Sequence, residues 1–102
     1  MAYFEEIRET AEYRKWFENL RDRRASLVIA ARLARLIASG TGDIKPVGGK
    51  VLELRVDTGP GYRVYFCTRG TRLLLLLAGG DKDGQKRDIR TAQQLAASVD
   101  GT

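Results

Sequence analysis

A chain of 102 residues with 43% apolar composition can bury one core and is too short for two, so one domain spanning 1–102 is expected. Eighteen Lys and Arg against thirteen Asp and Glu give a formal charge of +5 and a pI near 9.7, which favours an anionic partner, either nucleic acid or an acidic protein segment. The absence of histidine and the single cysteine exclude the usual zinc ligand sets and any Ser-His or Cys-His nucleophile, so neither a metal nor a cofactor is expected.

Residues 2–8 alternate Tyr3, Glu5 and Ile7, a weak pattern for a first strand. Thr10 is placed to cap a helix in which Tyr13, Trp16, Phe17 and Leu20 fall on one face. That aromatic stripe reads as core packing, although its rings are also of the kind that stack on bases. Asp22 is placed to cap a second helix from about Arg23 to Ser39, with Ile29, Leu33, Leu36 and Ile37 as its apolar stripe and Gly40 as its stop. Arg24, Arg32 and Arg35 on this helix are either a solvated face or a contact for phosphate or protein.

The glycine-rich segment 40–49 predicts a loop or an irregular edge strand. From Lys50 the period becomes two: Leu52, Leu54 and Val56 face one way, and Val51, Glu53 and Arg55 the other. Gly59-Pro60-Gly61 turns the chain into an antiparallel strand with Tyr62, Val64 and Phe66 on one face and Arg63, Tyr65 and Cys67 on the other. After the turn at 69–72, Leu73 to Leu77 is apolar throughout, as expected of a central strand covered on both faces. A polar loop, 81–88, leads into a short final helix with Ile89, Ala92, Ala96 and Val99 on one side. Asp81-x-Asp83-Gly84 has the start of a calcium loop, but the closing glutamate position is an alanine. The expected architecture is α+β: an N-terminal helix hairpin packed on a small, mainly antiparallel sheet with a short C-terminal helix.

Residues 1–44 carry eight basic and seven acidic side chains and residues 45–102 ten and six, so the charge excess lies with the strands. No run approaches the ~18 apolar residues of a membrane span. The acidic start (Glu5, Glu6, Glu9) lacks a signal-peptide pattern. Cys67 alone cannot form an internal disulfide. A soluble cytoplasmic protein with no membrane partner is expected.

If Leu52, Leu54, Val64 and Phe66 face the helices, Arg55 and Arg63 stand together on the open side of the sheet. With Lys82 at the strand end and Lys45 or Lys50 at the rim they would surround a phosphate, a task that suits the planar guanidinium fork. Tyr65 offers a ring for stacking a base. The competing reading pairs Arg55 with Glu53 or Asp57 on a solvated face, with no further role.

Tyr13-x-x-Trp16-Phe17, Gly42-Asp43-x-Lys45-x-Val47-Gly48, Leu52-Glu53-Leu54-Arg55, Gly59 through Phe66 and Gly79-Gly80-Asp81-Lys82-Asp83-Gly84-Gln85 together resemble the RelE/ParE superfamily of bacterial toxins. The resemblance covers nearly the whole chain and is nearest to the HigB-like addiction-module killer branch, related to phage Gp49-like proteins. It implies a metal-independent endoribonuclease that cuts mRNA, usually in the ribosomal decoding site, by attack of a 2′-hydroxyl on the adjacent phosphate. It also implies a cognate helix-turn-helix antitoxin. Carried over by motif, Arg63 and Lys82 stabilise transition-state charge and Arg55 matches the arginine of the preceding strand.

Where relatives have lysines this chain has Val51 and Glu53, so Glu53 is either a base or an exposed carboxylate orienting an arginine. The tyrosine or histidine of some relatives falls near Asp88, ordinarily a poor acid at neutral pH, which leaves Lys82 or Lys86 for proton transfer. Lys45, Lys50, Tyr65, Lys86 and Arg87 are the expected RNA contacts. A non-enzymatic ParE-like inhibitor of DNA gyrase, or a phage-derived regulatory binding protein, is the alternative.

Overall fold

The computed structural model describes residues 3–100. In chain order the elements are β1 (Glu6–Glu9), α1 (Ala11–Glu18), α2 (Arg23–Ser39), β2 (Ile44–Gly48), β3 (Val51–Val56), β4 (Tyr62–Arg69), β5 (Leu73–Asp81), a 3-10 turn (Lys82–Gly84) and α3 (Gln85–Asp100). The strands form one sheet of order β1-β5-β4-β3-β2, antiparallel except for β1, which runs parallel to β5.

Local chemistry sets the helix ends where the sequence places them. Thr10 accepts a hydrogen bond from the Tyr13 N–H, and Asp22 accepts from the N–H groups of Arg24 and Ala25, so both caps satisfy otherwise orphaned donors. Gly40 closes α2 in the left-handed region at φ 71°. Ile29, Leu33 and Leu36 of α2 and Tyr13 of α1 pack with Leu54, Val56, Val64, Phe66, Leu74 and Leu76 on one sheet face, as the period-two pattern predicts.

Three expectations are corrected. The first strand occupies Glu6–Glu9 rather than 2–8 (residue 2 lies outside the described residues); its side chains are all exposed, so backbone pairing with β5 rather than an apolar pattern defines it. The final helix is not short: α3 runs for 16 residues. Nor is the second sheet face open, because Ala92 and Ala96, with Ile89, Leu95 and Val99, pack on Val51, Tyr65, Leu75, Leu77 and Ala78.

A bulge in β5 aims the next two glycines. Tyr65 pairs with Ala78 and Phe66 with Leu76, which leaves Leu77 as the extra residue. Leu77 and Ala78 therefore both join the α3 side, and the alternation restarts one residue out of phase. Gly79 then faces Trp16 of α1 and Gly80 faces Asp88 of α3, so close that an added Cβ would lie 2.1 Å from the indole and 1.9 Å from the carboxylate.

Candidate nucleic-acid site

The register assembles the polar residues of the α3 side of the sheet in two cross-strand rows. Lys45, Glu53 and Tyr65 form one, ending at Ala78 of β5; Arg55 and Arg63 form the next, ending at Gly80. Gly61 at the start of β4 has φ 85°, and its α-carbon lies where an added Cβ would be 3.6 Å from Nη1 of Arg63 and 3.7 Å from Cβ of Lys82. The Lys82 N–H donates to the Gly61 carbonyl. These contacts bring Arg55, Arg63 and Lys82 to one end of the sheet.

α3 changes the character of this group. Glu53, Arg63 and Tyr65 are 1%, 4% and 0% exposed, and Arg55 is half-buried. Oε2 of Glu53 accepts from Nε2 of Gln85 at 2.8 Å, while Oε1 lies 3.8 Å from Nε of Arg63. Nη1 of Arg63 donates to the Tyr62 carbonyl. Glu53 is therefore not the exposed carboxylate expected, and the buried pair it forms is with Arg63 rather than Arg55. Tyr65, enclosed under α3, has no ring face available for stacking a base in this structure.

Four buried atoms in this group have no hydrogen-bond partner among the described residues: Oε1 of Glu53, Nε of Arg55, Nε of Arg63 and the Tyr65 hydroxyl. Oε1 of Glu53 and Nε of Arg63 face each other as an ion pair beyond hydrogen-bond distance, and buried polar atoms without hydrogen bonds gathered in one place are costly for a purely structural core. Burial, and then the neighbouring Glu53 carboxylate, push the Tyr65 phenol well above its ordinary range, so it stays protonated as a donor.

Of the other expected contacts, Lys45 is exposed in β2 beside Glu53. Lys86 and Arg87 are exposed on the first turn of α3. Lys50 is not brought to the cluster: it sits in the turn before β3, next to Cys67 and Arg69, five positions or ~16 Å of extended strand from Arg55.

Gln85 was not among the expected site residues, and Asp88 was expected only as the place where the tyrosine or histidine of some relatives falls. The signal for them lies in Leu73–Leu77: a strand apolar on both faces needs a second covering layer, and α3 is the only segment left to supply it. Asp88 sits against Gly80 and Gly84, with Oδ1 3.4 Å from Nε of Arg87. Burial raises its pKa above the ordinary aspartate range, with Asp81 adding to the rise and Arg87 opposing it. Among the described residues there is no His, Cys, Asp and Glu cluster of the kind that holds a metal, and no helix is long and apolar enough to cross a membrane.

Comparison with known proteins is consistent across sequence and structure. Residues 15–97 match the family model described as phage-derived protein Gp49-like (DUF891). An uncharacterized protein of Haemophilus influenzae is 43% identical over 94 residues, covering 92% of this chain and 95% of that protein. A mutant of the E. coli toxin RelE in its free state superposes with a TM-score of 0.69 at 15% identity, over 97% of this chain and 98% of the toxin chain.

Proposed function

From the chain's membership of the phage-derived Gp49-like family, one of RelE/HigB-like toxins, we propose that this toxin-antitoxin toxin is a metal-independent endoribonuclease acting on mRNA at the ribosome. The observation that carries the reading is the convergence of Arg55, Arg63 and Lys82 at one sheet end, with Nε of Arg55 lacking a hydrogen bond and Nε of Arg63 held only by the ion pair to Glu53. In the reaction the 2′-oxygen bonds to the adjacent phosphorus and the bond to the 5′-oxygen breaks, leaving a 2′,3′-cyclic phosphate and a 5′-hydroxyl. The pentavalent phosphorane carries extra negative charge, which preorganised cations stabilise without reorganising. Arg63 and Lys82 take this role, and Arg55 extends the cationic row.

Glu53 acts as a positioning residue in this scheme. Held by Gln85 and facing Arg63, it fixes the guanidinium. Asp88, which sits against Gly80 beside Arg63, is the carboxyl placed to donate the proton to the departing 5′-oxygen, and the 2′-hydroxyl proton leaves to water. Family membership implies an antitoxin partner, and a helix-turn-helix protein is the form we propose for it.

One observation favours a second reading. The enclosure of Glu53 and Tyr65 under α3 suits a non-enzymatic binder, such as a ParE-like gyrase inhibitor. Induced expression without the antitoxin, followed by mapping of RNA 5′ ends with Lys82→Ala as the control, separates the two. New cuts inside translated messages, lost in the variant, support the nuclease; growth arrest without cuts overturns it.

A further inference from the structure

Between α1, the open end of β5 and the first turn of α3 lies a groove of about 680 Å³, lined among others by Trp16, Asn19, Tyr62, Gly79 and Gly80. β1 pairs with β5 only as far as Glu9 beside Leu76, so from Ala78 to Asp81 no described strand lies along this edge of β5. Gly79 lets the Trp16 ring lie directly on the strand and Gly80 does the same for Asp88, and the groove's volume lies within the usual range of small-molecule sites.

Trp16 is half-buried and contributes the largest ring of the groove. Its indole rests near Gly79, and its three aromatic neighbours, Tyr13, Phe17 and Tyr62, meet it at 51°, 56° and 61°. None of them lies parallel to it, so no described aromatic ring stacks on the indole. The Asn19 side-chain amide, on the rim, makes no hydrogen bond among the described residues. Lys15, Arg21 and Arg87 supply three rim cations. They face three carboxylates: Asp88 accepts from Arg87, Asp81 accepts from the N–H groups of Asp83 and Gly84, and Lys15 and Arg21 stand with Glu12 on the remaining rim. The groove lies at the same end of the sheet as the cationic row: Gly80 and Asp81, which line it, pair across the strands with Arg63 and Tyr62.

We propose that this groove binds a nucleobase of single-stranded RNA, stacked against Trp16 beside the phosphate held by Arg63 and Lys82; the inference rests on the ribonuclease reading. An aromatic face, an unpaired amide and flanking cations are the combination by which unstacked bases are held.

Trp16 is the only tryptophan, so its emission reports on the groove directly. A dye-labelled, 2′-O-methylated RNA hexamer, which cannot be cleaved, is titrated while anisotropy and tryptophan emission are read together. Quenching that follows the anisotropy, with Arg21→Ala and Asn19→Ala each weakening both by about 2- to 10-fold, is expected. These two rim side chains lie outside the core, so folding is preserved in the variants. Anisotropy that rises with unchanged tryptophan emission overturns the groove assignment and leaves the RNA reading standing. No response in either signal removes both, and quenching by the antitoxin alone identifies the groove as a protein-docking face instead.

Discussion

Gln85, the first residue of α3, donates from Nε2 to Oε2 of Glu53 at 2.8 Å, so the C-terminal helix is tied to a carboxylate that lies wholly inside the protein. The bond joins the helix that covers the sheet to the row next to the arginines, where Glu53 pairs with Arg63. Removing Gln85 strands an acceptor, whereas removing Glu53 strands the Arg63 guanidinium. Gln85→Ala should cost about 1–3 kcal/mol and Glu53→Ala about 3–5 kcal/mol, measured as shifts in urea midpoint at constant slope. Equal effects of the two substitutions would refute the order.

Arg63→Ala is a poor test of chemistry, because it leaves Glu53 unpaired and should unfold much of the protein. Arg63→Lys keeps the charge and loses the fork; Lys82→Ala alters an exposed side chain without a described hydrogen bond or ion pair. Both variants should fold like the parent and lose cleavage in a translating extract on the order of 10²-fold. Full cleavage by Lys82→Ala would remove that residue from the site.

Gly80 and Asp88 form a steric couple. Alanine at Gly80 would place Cβ 1.9 Å from Oδ2 of Asp88, a clash expected to cost about 1–3 kcal/mol. Truncation to Asp88→Ala should relieve most of it, so the double variant is more stable than additivity predicts. Gly79→Ala meets the packed Trp16 ring instead, and Asp88→Ala should leave that cost unchanged. Thermal unfolding of the three single and two double variants decides the matter.

The raised pKa of Asp88 makes two pH predictions. Since the folded state favours its neutral form, this group's contribution to stability is full below the ordinary aspartate pKa and is lost as pH rises through the folded value. Asp88→Asn should therefore flatten the stability profile above the ordinary carboxylate range and be relatively more stable than the parent at neutral pH. Cleavage by the parent should fall as pH rises through the same transition, and Asp88→Asn should abolish that limb. An unchanged pH–rate profile in Asp88→Asn would exclude Asp88 as the proton donor.

Thr10 links the helix hairpin to the β5 bulge. Its hydroxyl oxygen accepts from the Tyr13 N–H at 3.0 Å, and its O–H donates to the Leu77 carbonyl at 2.6 Å. Thr10→Ala should cost about 1–2 kcal/mol, and hydrogen exchange should show faster opening at both the start of α1 and the bulge. Protection lost only in α1 would mean that the Leu77 bond contributes nothing.

Features whose causes are local were legible in the order of the residues. Thr10, Asp22 and Gly40 mark helix ends because capping geometry involves neighbours within a few residues, and the alternation of Leu54, Val56, Val64 and Phe66 marks the hairpin-facing side of the sheet because side-chain direction along a strand has period two. The motif resemblance likewise brought Arg55, Arg63 and Lys82 into one set. Tertiary structure alone decided that α3 lies over Glu53, Arg63 and Tyr65, that the extra residue at Leu77 turns Gly80 toward Asp88, and that β1 docks in parallel and stops short of Gly79. In a run of five leucines every face is apolar, so no pattern marks the bulge, and the position of α3 depends on contacts separated by tens of residues. Burial follows from that packing, and with it the change of Glu53 from a surface carboxylate to one locked beside Arg63.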